Sequence, residues 1–418
     1  MWRIIVNSSK KQFEETARYQ ATHQSGDVFV AFFLTFAGYQ ALGIADAETP
    51  DDASFQAGLQ SKAEDLNDNP VNNWDDYFQE EIHALILIGD DKLENVHQMQ
   101  ADILAVKPAS VTVAGEEIGL AMRNTNGDGI EHFGYVDGRS QPLLLQEDID
   151  READTTDGIN VWSPAFPLKQ ALVDCKGGTA GVSFGSYFVF RKLEQNVSGF
   201  KSREDEIADQ LQLPVKDKEL AGAMIVGRFE DGTPVVLQKG DGTDNPVPNN
   251  FNYESDTKSL KCPFHGHIRK TNPCGESVGV FADSLAEERS HIMARRGITY
   301  GNRIWKNDMP NTELDEDHFP SEGVGLLFIA YQSEIANQFE FTQINWANNE
   351  GFVKFDQATG DPLTGLDPVI GQGNPTISLK QTKQWGIDDK DEIDFHGFVK
   401  MKGGEYFYAP CISFLKTI

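Results

Sequence analysis

Residues 81–119 read EIHALILIGDDKLENVHQMQADILAVKPASVTVAGEEIG. EIHALILIGD is an apolar run stopped at a Gly-Asp turn, the pattern of a buried strand. DKLENVHQMQADILA reads as a helix, and ASVTVAGEEIG as a second strand. A strand, a helix and a strand within so short a span point to an α+β layer rather than an all-helical or all-β chain. The residues before it fit. A helix is predicted over 10–23, a strand over DVFVAFFLTF (27–36) and a helix over 51–66. A second round begins near residue 185. GSYFVFRKLEQNV (185–197) is a strand, REDEIADQLQL (203–213) a helix, GVGLLFIAYQ (323–332) a strand and EYFYAPCISFL (405–415) a last strand. FFLTFAGYQ (32–40) and GLLFIAYQ (325–332) both end in Tyr-Gln, a faint echo that suggests two copies of one α+β unit. The stretches 145–183, 231–252 and 354–391 read as loops.

Length and composition limit what this chain can be. Its 418 residues exceed one ordinary core, so two domains are expected. A hydrophobic share of 39%, with 27 Phe, is enough for a packed interior. Lys and Arg number 36 against 65 Asp and Glu, a net charge of −29, which argues against nucleic acid and anionic membrane surfaces as partners. The opening residues, MWRIIVNSSKKQFEETARYQ, hold no long apolar stretch and no twin arginine, so no export signal is read and a cytoplasmic location is expected. The four cysteines are scattered without a CxxC, so a disulfide framework or zinc ribbon is not expected and a reducing compartment fits.

Three stretches carry chemistry. HFGYVDGRSQP (132–142) places Asp137 between Gly134 and Gly138. Asp-Gly is a common turn pair, but glycine backbone can also aim a carboxylate into a cavity. Upstream, Asn124, Asn126, Asp128 and Gly129 match early positions of a calcium loop. The twelfth position is Tyr135, where a bidentate Glu is needed, so a polar turn is the better reading. CPFHGHIRKTNP (262–273) combines Cys262, His265 and His267 with Arg269 and Lys270. Histidines at i and i+2 diverge, so one shared metal is disfavoured. One imidazole on the iron of a planar cofactor, with cations for its carboxylates, is coherent, and Cys262 is an alternative thiolate ligand. HIMARRGITYG (291–301) reads either as a helix C-terminus dressed with cations or as a guanidinium delivered to a pocket.

Together these stretches resemble the dye-decolorizing, DyP-type peroxidases. The G-x-x-D-G motif of that family is matched by Gly134, Asp137 and Gly138, and its heme-ligand segment by GHIRKTNP, which puts the ligand on His267. The family arginine is matched by Arg295, with Arg296 as the alternative. GSYFVFRKLEQNV, GRFEDGTPV (227–235), GLLFIAYQSEIANQFEFTQINWANN (325–349), GLDPVIGQ (365–372) and GGEYFYAPCISFL (403–415) follow in family order. The resemblance is nearest the longer fungal and cyanobacterial branch. Two positions depart from the pattern: Cys274 stands where the family has Arg after N-P, and Thr299 where it has Pro.

The resemblance implies two ferredoxin-like α+β domains, antiparallel sheets flanked by helices. Residues 1–165 would carry the G-x-x-D-G motif and residues 184–418 the heme-ligand His, with one heme b per chain in the cavity between the sheets. His267 would bind the iron, with Asp367 behind it. Arg269 would serve the heme, and Leu326 and Phe328, two apart on one strand, would wall the pocket. Asp137 would carry a proton from one oxygen of hydrogen peroxide to the other, and Arg295 would stabilise charge developing as the O–O bond breaks. Gly134 and Gly138 would leave room for the backbone to approach the heme. An Asp in this role predicts an acid optimum. The implied partners are hydrogen peroxide and small organic reductants, dyes and phenols among them. Bulky reductants would be served through some of the six Trp and ten Tyr. A monomer or homodimer is expected. The rival readings are a heme-trafficking protein on the same fold, a scaffold that has lost heme, and chlorite chemistry, which G-x-x-D-G disfavours.

Overall fold

A computed structural model of the chain describes residues 7–155, 166–242, 247–281 and 284–418. The first six residues, on which the reading of the N-terminus partly rests, lie outside the described residues. So do parts of the loops predicted at 145–183 and 231–252, and the end of the 1–165 domain.

The class is α+β, with antiparallel sheets flanked by helices. One eight-stranded sheet organises the molecule, in the order Ala84–Gly89, Phe29–Leu34, Val399–Ala409, Phe184–Gln195, Gly325–Gln332, Ala294–Arg295. Val173–Asp174 adds to Phe184–Gln195, and Ile298–Tyr300 to Gly325–Gln332. The strands of the two halves of the chain meet where Leu34 pairs with Tyr408. Phe184–Gln195 is central. Phe188 pairs with Tyr331 on one neighbouring strand and Phe407 on the other, and the strand is buried along nearly its whole length. Phe33 lies against Phe188 with ring centroids 4.2 Å apart. Burying rings of this size, at about 25 cal/mol per Å² of apolar surface, is the main force closing the sheet onto its helices.

Several predicted elements differ in detail. Residues 10–23 form Ser9–Thr22, whose N-cap Ser8 accepts the Lys11 amide. The apolar run at 27–36 ends its strand at Leu34, because Thr35 caps a new helix, Phe36–Ala41, through Gly38 N–H. The Tyr-Gln of the internal echo therefore lies on a helix in the first copy and on a strand in the second. Residues 51–66 break at Gly58 into Ala53–Ala57 and Leu59–Lys62. The strand expected at 109–119 does not form. Its one ladder contact is the bridge of Gly119 to Tyr300. Residues 405–415 split into the end of Val399–Ala409 and a short helix, Ile412–Leu415. Between them Cys411 pairs with Cys175 in a disulfide, Cα atoms 6.0 Å apart, contrary to the expectation from scattered cysteines. Spatial neighbours 236 positions apart carry no spacing signal. Among the described residues no helix is long and apolar enough to cross a membrane.

Candidate active site

The turn holding Asp137 is anchored by its aromatic residues. Phe133 and Tyr135 are buried, and Phe133 stacks on Phe200 with centroids 3.8 Å apart and planes 12° from parallel. Anchoring these two rings leaves Asp137 exposed on the wall of a cavity. Gly134 and Gly138 have φ of 101° and 84°, a region that side chains disfavour. This backbone conformation by itself favours glycine at both positions. A Cβ on Gly138 would meet no protein atom within 4 Å, and one on Gly134 would face the Glu230 carboxylate at 3.3 Å. Asp137 Oδ1 accepts the Gly138 amide at 2.7 Å. Its Oδ2 has no hydrogen-bond partner among the described residues. The Asn/Asp stretch before it is a hairpin turn, in which Asn124 Oδ1 accepts the Asn126 and Asp128 amides at 3.0 and 2.9 Å.

Arg295 does not end a helix. The helix Leu285–Ser290 stops first, and Arg295 lies on a short strand opposite Ala330. Burial lowers its pKa, and the charge of Asp137 acts against that shift. Leu326 and Phe328 alternate with buried Leu327 and Ile329 on the neighbouring strand, and both line the same cavity. Arg296 lines it as well.

His267 opens a short helix, His267–Thr271, and reaches the cavity. Its Nδ1 lies 2.8 Å from Asp367 Oδ2. A carboxylate only accepts, so Nδ1 carries the hydrogen and Nε2 is the ring nitrogen left for a metal. Asp367 is itself fixed, its Oδ1 accepting the Val369 and Ile370 amides at 2.8 and 3.0 Å. Burial pushes the Asp367 pKa up, but the His267 charge and hydrogen bond, the Ile370 amide and Lys270 outweigh it, and the net shift is downward.

Other sequence-stretch residues go elsewhere. Arg269 is not on the cavity. Its guanidinium is fully buried, bonded to Glu276 through Nε at 2.7 Å and to Asp256 through Nη1 at 3.1 Å, between the rings of Tyr253 and Phe264. A buried cation needs acidic partners, and Arg269 finds one on either side of its own segment, 13 positions before it and 7 after it. Cys262 is also buried away from the cavity, its thiol pushed up to about 12 by burial, which does not suit a thiolate ligand. His265 is buried, and burial lowers its pKa to about 3.

The cavity has a volume of about 600 Å³, within the range of ligand sites. Its wall fits heme on three counts. It is largely apolar, with Met122, Leu193, Val226, Ile268, Met293 and Val369 among its residues. It presents His267. It also presents Arg139 and Arg228, neither of which has an acidic partner among the described residues. Burial lowers Arg228 to about 10, so it stays protonated, held by the Gly232 carbonyl, Ser140 and Asn249 and lying over the Phe251 ring. Buried cations of this kind suit an anionic ligand such as a pair of carboxylates. The sequence reading missed both arginines, although Arg139 adjoins Gly138 and Arg228 lies in GRFEDGTPV. It also missed Glu131, another cavity residue.

Comparison with known proteins agrees with this geometry. Residues 3–122 match the family model described as the DyP dimeric alpha+beta barrel domain. The multifunctional dye peroxidase DyP2 of Amycolatopsis sp. is 48% identical over 417 residues, spanning 99% of this chain and 87% of that protein. Its solved structure superposes with a TM-score of 0.91. A DyP-type peroxidase of Anabaena sp. is 40% identical, with a TM-score of 0.89 over 100% of this chain and 86% of that one. A dye-decolorizing peroxidase in complex with 2,6-dimethoxyphenol is 27% identical, with a TM-score of 0.73 over 98% and 89%. The chain belongs to the dye-decolorizing, DyP-type peroxidases. It is an enzyme, a heme-dependent peroxidase, for which hydrogen peroxide and a reductant are the partners.

Proposed function

We propose that this chain reduces hydrogen peroxide with one heme b held by His267, and oxidises dyes, phenols and other bulky organic reductants with an acid optimum. The observation that carries the reading is that His267, Asp137, Arg295, Leu326 and Phe328, drawn from four separate elements, line one cavity. Asp367 supports the ligand from behind by fixing its tautomer. Arg139 and Arg228 would meet the heme carboxylates, and Arg269 serves only to brace the helix of His267. When bound, heme supplies the redox-active iron that takes up the oxidising equivalents of peroxide.

The protein groups do the rest. Asp137 Oδ2 receives a proton from one peroxide oxygen and returns it to the other as that oxygen leaves as water. Arg295, always charged, favours the ionised form of Asp137 and the negative charge that grows on the departing oxygen. Leu326 and Phe328 exclude water from the site, which strengthens both effects. A carboxyl base stays ionised to lower pH than an imidazole would, about 3.9 against 6.5 in unperturbed groups, which places the optimum on the acid side. The relative solved with 2,6-dimethoxyphenol supports phenols as reductants. Two ferredoxin-like units, 1–165 and 184–418, are proposed to share the sheet, in a monomer or homodimer.

The test is heme titration followed by turnover. The expected result is a Soret band at one heme per chain and peroxide-dependent oxidation of 2,6-dimethoxyphenol, fastest in acid. A stable Soret band without turnover would replace this reading with that of a heme carrier.

A further inference from the structure

Glu131 has no part in the chemistry above, yet it lines the cavity beside Asp137 and Arg295. Its carboxylate is committed to backbone. Oε2 accepts the Phe133 amide at 2.8 Å and Oε1 accepts the Tyr135 amide at 3.0 Å. Gln195, on the central strand, donates a short bond from Nε2 to Oε2. The main chain of Glu131 closes the same turn, its N–H donating to Tyr135 O at 3.1 Å and its carbonyl accepting the Gly134 amide at 3.0 Å. The next bonds along the chain are Val136 N–H to Glu230 O and Asp137 N–H to Gly129 O, both 3.0 Å. The turn that leads into Asp137 is thus assembled around one side chain.

We propose that Glu131 is the positioning residue for Asp137: its carboxylate ties the amides of residues 133 and 135 to Gln195 of the central strand and so fixes where the Asp137 carboxylate stands in the cavity. This rests on the peroxidase reading of the site. A glutamine cannot do the same. It offers one acceptor oxygen, and its NH2 opposes an amide N–H that is left unpaired. The charged groups around Glu131 are Asp137 on its own turn and Arg303, whose Nη1 donates to the His132 carbonyl. Lys201 and Glu204 face the adjoining Tyr135, Glu204 by a short bond to its hydroxyl and Lys201 over its ring at 5.0 Å. Burial raises Glu131 to about 7, against the pull of its three hydrogen bonds and with a contribution from the Asp137 charge. Above that pH it is a full acceptor.

The experiment compares the heme-loaded wild type with Glu131→Gln and Glu131→Asp on both sides of the Glu131 ionisation, because the proposed acid optimum lies below it and the full carboxylate above it. Three quantities are read: Soret absorbance per chain, kcat and KM for peroxide per bound heme, and amide hydrogen exchange across residues 129–140. The expected result for Glu131→Gln is retained Soret absorbance, faster exchange at the 133 and 135 amides, and kcat lower by about tenfold to a hundredfold, the scale of an ångström-sized misplacement. Glu131→Asp keeps a carboxylate and should recover part of both losses. A kcat per heme and an exchange rate unchanged in Glu131→Gln overturn the proposal, as does a loss of heme and stability with kcat per heme intact. Should the wild type bind heme and turn over no peroxide, the peroxidase reading fails. The exchange comparison then still decides whether Glu131 holds the turn. If Glu131→Gln does not fold, Glu131→Asp alone carries the test.

Discussion

Asp367 Oδ2 lies 2.8 Å from His267 Nδ1, across a sequence separation of 100 positions. The carboxylate is oriented from its far side by the Val369 and Ile370 amides, so it cannot turn away. In Asp367→Asn the oxygen stays on those amides and the NH2 faces Nδ1. The imidazole must then protonate Nε2, the atom proposed to bind the iron. Heme affinity is expected to fall about 10- to 100-fold, read as a weaker hemin titration of the Soret band. His267→Ala should abolish the titration at the same hemin concentrations.

Asp137→Asn removes the proposed proton acceptor without changing the glycines that set the turn. The expected outcome is full heme binding with peroxide turnover reduced by about 10²- to 10⁴-fold. Equal turnover in the variant, measured per heme by steady-state dye oxidation, would exclude Asp137 from the reaction.

Arg295 has no hydrogen-bond partner for its guanidinium among the described residues, so its charge is available to the cavity. Arg295→Leu should retain heme and lose about 10²- to 10³-fold in kcat. Arg295→Lys should recover little of this, because a point charge on a flexible stem does not reproduce the fork. The alternative residue, Arg296, spends one nitrogen on the Arg295 carbonyl at 2.6 Å, and Arg296→Leu should cost less.

Arg191 of the central strand and Asp68, in the loop after Leu59–Lys62, form a buried pair, with bonds of 2.9 and 2.6 Å and almost no exposure of either side chain. Arg191→Met strands the Asp68 charge. The loss should be about 3–5 kcal/mol, measured by urea denaturation of the heme-free protein. Arg191→Met with Asp68→Leu should restore most of it, because two apolar groups need no partner.

Stability and the proposed acid optimum pull apart. Burial holds His265 down to about 3 and His132 down to about 4. An unfolded imidazole titrates near 6.5. As pH falls below that value the unfolded chain binds protons that the folded chain refuses, so stability drops until the folded pKa is reached. These two histidines should therefore cost thermal stability between pH 6.5 and about 4, while Glu131, raised to about 7, acts in the opposite sense. His132→Asn should lose less over the same window, measured by calorimetry at several pH values.

How much of this was legible follows from where each feature is encoded. The strands at 84–89, 184–195 and 325–332 were readable because an apolar run states its own burial. The glycines beside Asp137 were readable because a positive φ is a local property of the chain. The spacing of Leu326 and Phe328 was readable because a strand alternates its faces. Other features were not local. Residues 109–119 have strand composition but form no strand, since pairing needs a neighbour and the sheet offers only Tyr300. Arg295 reads as a helix cap until Ala330 takes it into a sheet. Arg269 looked like a cofactor ligand, but Asp256 and Glu276 claim it, because a desolvated guanidinium goes to the nearest carboxylates. The disulfide and the hold of Glu131 on its turn likewise depend on what folding brings near. The sequence by itself determined the α+β class, the strands and the chemical identity of the groups in the cavity. Only the tertiary structure decided which of them share that cavity and which buried charge faces which, because those energies fall off over a few ångströms and the partners are far apart along the chain.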